Sequence, residues 1–175
     1  MIKGKNVTLR AVERDDLARL HLFNNDLEVE LAGGGDPPMP QSLERLEAEF
    51  SKNVQNGGRD GASFGIVVNG LFIGICALFN FNETNRTCEL GITIGDKAHW
   101  GQGYGREAVQ LLTKYAFQYR NMNRVWLQVI GNNERAIHAY QASGFEVEGT
   151  LRDHIWSNGR YHDIIMMGIL ANKKA

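Results

Sequence analysis

The hydrophobic pattern of this chain changes period in its middle, and that change limits the folds open to it. Ser63 to Val68 and Leu71 to Phe81 are apolar, strand-like stretches joined only by Asn69-Gly70, a pair that tolerates the positive φ of a type I′ turn. Asn82 to Asn85 makes a second turn, and Thr87 to Ile94 a third strand. Connections this short make the three strands antiparallel neighbours. A glycine-rich turn follows, and from Arg106 to Tyr119 the spacing becomes helical. Ala108, Leu111, Leu112, Tyr115, Ala116 and Tyr119 then share one face.

The flanks fill in around this switch. Val7 to Val12 alternates as a strand, and Glu13 to Phe23 carries Leu17, Leu20 and Phe23 on one helical face. Asn24 to Met39, with Gly33-Gly34-Gly35 and Asp36-Pro37-Pro38, reads as a loop. Ser42 caps a helix holding Leu43, Leu46, Ala48 and Phe50, with Gly57-Gly58 beyond its end. Val125 to Ile130 is a short strand, and Glu134 to Ser143 is a helix that Gly144 ends in the left-handed conformation. Phe145 to Trp156 and Tyr161 to Leu170 form a last hairpin through Ser157-Asn158-Gly159. Seven strands, clustered and then interrupted by about four helices, predict an α+β domain with a mixed, mostly antiparallel sheet. The strand before each later helix should run parallel to the strand after it.

At 175 residues the chain is one domain, 1–175. Nineteen Lys and Arg against twenty Asp and Glu leave a formal charge of −1, so no whole-protein field draws it to nucleic acid or an anionic membrane. The N-terminal MIKGKNVTLRAVERDD turns polar too early for a signal peptide, and no apolar run nears the ~20 residues of a membrane span. A soluble, cytoplasmic protein is expected. Cys76 and Cys88 lie in apolar strands and read as buried free thiols or, alternatively, a cross-strand disulfide. His21, His99, His138, His154 and His162 show no metal spacing, and no metal is expected.

Chemistry concentrates in HWGQGYGREA, His99 to Ala108. Gly101, Gly103 and Gly105 alternate between a strand and the best helix, where backbone N–H groups and the helix dipole can form an anion-binding nest. A plain turn would use the same glycines. A dinucleotide fingerprint fails because the turn follows antiparallel hairpins and no acidic residue ends a strand ~20 residues on. A nucleoside triphosphate loop fails because G-K-[ST] is missing.

Gly103-Tyr104-Gly105, followed by NNERAIHAYQASGF from Asn132 to Phe145, resembles the GNAT superfamily of acyl-CoA-dependent N-acetyltransferases. Its hallmarks are Q/R-x-x-G-x-G/A and N-x-x-A-x-x-x-Y-x-x-x-G-F. Asn133, Ala136, Tyr140, Gly144 and Phe145 match the second throughout; the first is matched at Gly103 and Gly105 but opens on Trp100. The likeness spans the chain and is strongest to the branch of ribosomal-protein N-terminal and spermidine acetyltransferases. It implies a sheet splayed after the fourth strand, between Thr87–Ile94 and Val125–Ile130, with acetyl-CoA in the gap.

The reaction so implied is direct attack of a neutral amine on the thioester, with no covalent enzyme intermediate. The resemblance assigns the stretch Trp100, Gly101, Gln102, Gly103, Tyr104, Gly105 and Arg106 to the carrier's diphosphate. Backbone groups at Ile92, Thr93 and Ile94 would polarise the carbonyl and pair with the pantetheine arm. Tyr140, with a phenol pKa of roughly 10 above a thiol's ~8.5, would protonate the leaving thiolate; a packed helical tyrosine is the other reading. Asn133, with Ala136, would orient the pantetheine or the loop, or only cap its helix. Glu89 lies in an apolar strand, on the face of Gly91 and Thr93, and is the candidate base; a solvent-facing glutamate is the alternative.

The acceptor reads as a protein amino terminus or small amine. Asp26, Glu28, Glu30 and Asp36 could line a mouth for a cationic amine or form a solvated face. The Gly33-Gly34-Gly35 stretch is less acidic and aromatic than in spermidine acetyltransferases, which disfavours a polyamine. A non-catalytic acyl-CoA-binding module would retain the turn but lack Tyr140. Ile155, Trp156, Ile164, Ile165, Met166 and Met167 could finish the core or face a twin subunit in a homodimer.

Overall fold

The computed structural model describes residues 1–33, 38–55 and 61–171. One sheet holds the eight strands found there: β1 (Ile2–Lys3), β2 (Val7–Arg10), β3 (Ala62–Val68), β4 (Leu71–Asn82), β5 (Thr87–Ile94), β6 (Arg124–Ile130), β7 (Glu146–Ser157) and β8 (Arg160–Leu170). Their order across the sheet is β1-β2-β3-β4-β5-β6-β8-β7. Five α-helices accompany them: α1 (Leu17–Asn24), α2 (Leu27–Gly33), α3 (Leu43–Gln55), α4 (Tyr104–Gln118) and α5 (Glu134–Gln141). This is the expected α+β class, with one more strand and one more helix than the sequence pattern predicts. None of the helices is long and apolar enough to cross a membrane.

The two additions have clear causes. β1 is two residues long, too short to display alternation, and is held by pairing Ile2 with Leu9 and Lys3 with Thr8. α2 corrects the loop expected over Asn24–Met39. Its seven residues bury Val29 and begin where Asp26 Oδ1 accepts from the Glu28 and Val29 N–H groups, at 3.0 and 3.4 Å. Turn-forming residues on both sides hide so short a helix from a pattern search. Gly34, Gly35, Asp36 and Pro37, and likewise Gly57-Gly58, lie outside the described residues.

The hairpin turns form as their residues require. Asn69 and Gly70 have φ of 49° and 81°, Asn158 and Gly159 have 49° and 80°, and Gly144 ends α5 at 95°. Cys76 and Cys88 are buried free thiols. In β4 the register to β3 slips: Ile66 faces Gly74 but Val67 faces Phe72, leaving Ile73 as a bulge. The bulge directs Phe72 and Ile75 to a cluster with Leu17, Leu20, Phe23 and Leu46 of α1 and α3. Ile73, Cys76 and Leu78 join the larger core with α4 on the opposite face. Tyr119, expected on α4's buried stripe, is 72% exposed because the helix ends at Gln118.

Every strand pair is antiparallel except β5–β6. That parallel pair is short: Thr87, Cys88 and Glu89 face Arg124, Val125 and Trp126, and then the strands part. Both β6 and β7 run antiparallel to β8, so β7 shares the direction of β6, as the helix between them predicts, with β8 inserted. β5 remains paired to β4 up to Ile94, and β6 to β8 up to Ile130. Each arm of the V is thus supported on its outer side while its inner edge is open.

Past β5 the chain packs tightly onto α1. Gly95 and Asp96 N–H both donate to Ile73 O, at 2.9 and 3.0 Å, and Arg19 joins Phe72 O to Asp96 Oδ2 at 2.8 Å each. A Cβ on Gly95 would run into the base of the Phe23 ring. Gly95→Ala should therefore destabilise the fold by about 1–3 kcal/mol in urea titration. Gly149→Ala, where a Cβ meets nothing, should stay within about 0.5 kcal/mol. Equal effects would contradict this packing account.

Candidate active site

The open end of the V is a cavity of about 600 Å³, within the range of small-molecule sites. One wall is the inner edge of β5. Antiparallel geometry decides which of its groups are free: Gly95 N–H donates to Ile73 O and Thr93 faces Ile75, so the main chain of Thr93 is engaged by β4. The N–H and C=O of Ile92 and Ile94 point the other way, toward the cleft. Thr93 lines the cavity without a free backbone group, which narrows the backbone role expected of all three residues to two.

The floor is the glycine turn. Asp96 Oδ1 caps a 3₁₀ turn over Lys97–His99 by accepting from Ala98 N–H at 3.1 Å. Gly101 and Gly103 then take φ of 74° and 85°, a left-handed conformation that side chains disfavour. α4 begins at the next residue, and Glu107 N–H is the first to bond back, to Gly103 O at 3.0 Å. None of the N–H groups from Gly101 to Arg106 has an acceptor among the described residues. Six adjacent donors at the positive end of a fifteen-residue helix favour an anion.

The far wall is α5 and its approach. Asn133 caps α5, one of the alternatives expected for it, and also contacts α2. Its Oδ1 caps α5 through Ala136 N–H at 3.1 Å, and its Nδ2 donates to Ala32 O of α2 at 2.8 Å. The carboxamide so ties the end of α2 to the start of α5. Tyr140 is 7% exposed, lines the cavity, and its phenol is pushed up to about 12 by burial. Every expected cofactor residue, from Ile92–Ile94 and Trp100–Arg106 to Asn133 and Ala136, lines this one cavity together with Tyr140.

Glu89 lies one layer behind. It is 8% exposed and does not line the cavity. Asn80 Nδ2 donates to its Oε2 at 2.7 Å and Gln128 Nε2 to its Oε1 at 3.4 Å. A carboxylate only accepts, so this contact turns the Gln128 amide nitrogen toward Glu89 and its oxygen away. Gln128 itself lines the cavity and bridges the two strands where they part.

Sequence reasoning missed Gln128, Arg135, His138 and the α2 residues Val29 and Ala32 as cavity residues. Arg135 stands immediately before Ala136 of the motif, yet reads as an ordinary charge on an exposed helix. No carboxylate lines the cavity among the described residues, whereas Arg106 and Arg135 do, so its fixed charge suits an anionic ligand. The acids near α2, which could line a mouth or form a solvated face, are partly offset by one lysine. Lys97 Nζ lies 2.7 Å from Asp26 and 3.1 Å from Glu28, and its hydrogen bond holds the Asp26 carboxyl below its ordinary range. Glu30 is half-buried, which raises its pKa, and Asp36 lies outside the described residues. No group of three or more His, Cys, Asp or Glu suited to a metal ion occurs among the described residues.

The chain matches the acetyltransferase (GNAT) domain family over residues 6–146. It is 32% identical to a spermidine N(1)-acetyltransferase of Vibrio cholerae, over 97% of this chain and 96% of that protein. It is also 32% identical to a Bacillus subtilis protein with the provisional name ribosomal N-acetyltransferase YdaF, over 95% and 92%. Its fold superposes on the crystal structure of Vibrio cholerae spermidine N-acetyltransferase in complex with CoA and spermine with a TM-score of 0.86. That match has 30% identity and covers 95% and 96% of the two chains.

The two bonds of Asn133 can be separated. Asn133→Asp retains the cap but cannot donate to Ala32 O, whereas Asn133→Ala loses both. The alanine variant should lose about 1 kcal/mol of stability and the aspartate variant much less. Both should speed hydrogen exchange in α2, and unchanged α2 exchange in the aspartate variant would contradict the tether.

Proposed function

The chain belongs to the GNAT acetyltransferase family, and on that premise we propose that it transfers the acetyl group of acetyl-CoA to a primary amine of a polyamine, with spermidine as the representative acceptor. The observation that carries this reading is the likeness, over nearly the whole of both chains, to a spermidine acetyltransferase that binds CoA and spermine. The glycine-stretch comparison that disfavoured a polyamine falls largely on residues outside those described. A second reading, a protein amino terminus, is favoured by the pairing of Lys97 with Asp26 and Glu28, which lowers the negative charge available to a polycation.

Acetyl-CoA fits the site on three counts: six unpartnered N–H groups, a cationic lining, and an open strand edge that presents the Ile92 backbone groups and the Ile94 N–H, the Ile94 carbonyl being held by Trp100. It supplies a thioester carbonyl open to nucleophilic attack. The N–H groups of Gly101–Arg106 hold the diphosphate, and the inner edge of β5 at Ile92 and Ile94 pairs with the pantetheine amides and positions the carbonyl. The carbonyl oxygen of Gln128 accepts from the incoming amine and orients its lone pair. Glu89, behind it, receives the amine proton through water as the C–N bond forms and the C–S bond breaks.

Tyr140 donates its O–H hydrogen bond to the departing sulfur. With its phenol near 12 and a free thiol near ~8.5, complete transfer is uphill in isolation. The phenol therefore stabilises the thiolate through its hydrogen bond, and a proton it yields to sulfur is restored through water from Glu89, which holds the one released by the amine.

Two outcomes follow from these assignments. Tyr140→Phe should lower kcat about a hundredfold while leaving CoA affinity within about threefold. In the unaltered enzyme, kcat/KM for the amine should rise with pH as the acceptor loses its proton. No descending limb from Tyr140 should appear below about pH 10, because burial keeps the phenol protonated there. A Tyr140→Phe variant with unchanged kcat would remove the tyrosine from the mechanism. In a panel of spermidine, spermine and peptides with free amino termini, spermidine should give the highest kcat/KM by about tenfold or more. A peptide preferred over both polyamines would establish the second reading instead.

A further inference from the structure

A diphosphate brings two negative charges, and the glycine turn has little side-chain charge to meet them. Gln102 Nε2 is engaged by Ala98 O at 2.6 Å, and Trp100 Nε1 by Ile94 O at the same distance. Arg106 is the only cation the turn itself contributes to the cavity. The other cationic guanidinium in the lining belongs to Arg135, across the cleft on α5, and its Cζ lies 3.9 Å from the centre of the Trp100 ring.

Three features distinguish this arginine. Arg10, Arg19, Arg45 and Arg124 each face a carboxylate. Arg135 makes no ion pair or hydrogen bond among the described residues. It stands in the first turn of α5, where the helix dipole disfavours a cation, so local electrostatics do not explain its place. Arg14 and Arg120 also stack on rings, but neither lines the cavity. Stacking engages the face of the guanidinium and leaves its N–H edge available, the geometry suited to a phosphate.

We propose that Arg135, held on the Trp100 ring, is the second cationic partner of the carrier's diphosphate and closes the cleft from the α5 side. Trp100 contributes as a platform, with its indole N–H anchoring it to the end of β5. The polar side chain missing from the opening position of the glycine motif is thereby supplied from a different element. This inference rests on the acetyl-CoA reading of the cavity.

The test is calorimetric titration of the whole protein with CoA, at roughly 0.05 and 0.5 M salt. Arg135→Leu and Arg135→Gln should each weaken CoA binding about tenfold at low salt, with a smaller loss at high salt. Trp100→Leu should weaken it less, about threefold. Adding Trp100→Arg to Arg135→Leu should restore affinity to within about threefold of the unaltered protein. Arg135→Leu and Arg135→Gln binding CoA within twofold of the unaltered protein, or a loss indifferent to salt, would overturn the assignment and leave the acetyl-CoA reading intact. No CoA binding by the unaltered protein would overturn both.

Discussion

A sheet that divides leaves unpaired backbone groups along both inner edges, and this structure is organised around that exposure. After three pairs, β5 and β6 separate, and each is held in place by its outer neighbour alone. Open edges of this kind are costly when dry and readily accept a peptide-like partner. One group is already satisfied within the fold: Trp100 donates its indole N–H to Ile94 O. The remaining edge at Ile92 and Ile94 faces a cavity that also contains the unpartnered N–H groups of the glycine turn. Acetyl-CoA, the proposed donor, has pantetheine amides for the edge and a diphosphate for the turn, so one ligand would complete both.

The surroundings keep this gap in shape. The bulge at Ile73 switches the β4 side chains between two cores and offers one carbonyl to both Gly95 and Asp96. These two hydrogen bonds fix where β5 ends and where the glycine turn starts. Asn133 joins α2 to α5 behind the cavity, and Glu89 braces the separating strands through Gln128. Glu89 and Gln128 are thus held by paired side chains, the condition for a preorganised site.

Much of this was legible because periodicity records burial. α4 followed from its 3.6 spacing, and the hairpins from Asn-Gly pairs whose φ values are positive as required. The cavity lining near the glycine motif and Tyr140 followed from motif resemblance. What escaped depends on contacts between distant segments. A seven-residue α2 between turn formers carries too few turns to show a stripe, and a two-residue β1 cannot alternate. The pairing of Asp26 and Glu28 with Lys97 joins residues far apart in sequence, so the acids read as free. Which of Ile92, Thr93 and Ile94 presents a free N–H depends on register to β4, and alternation alone does not reveal it. Arg135 escaped notice because only the fold brings it to Trp100.

Main-chain donors ahead of α4 are proposed to hold the diphosphate of acetyl-CoA. The most direct measurement follows the backbone ¹H–¹⁵N signals of the uniformly labelled protein during titration with CoA. The amide protons of Gly101 to Arg106 should shift downfield together and saturate with a single affinity, as hydrogen bonds to phosphate oxygens form. Saturable CoA binding that left those six amides unmoved would contradict this role.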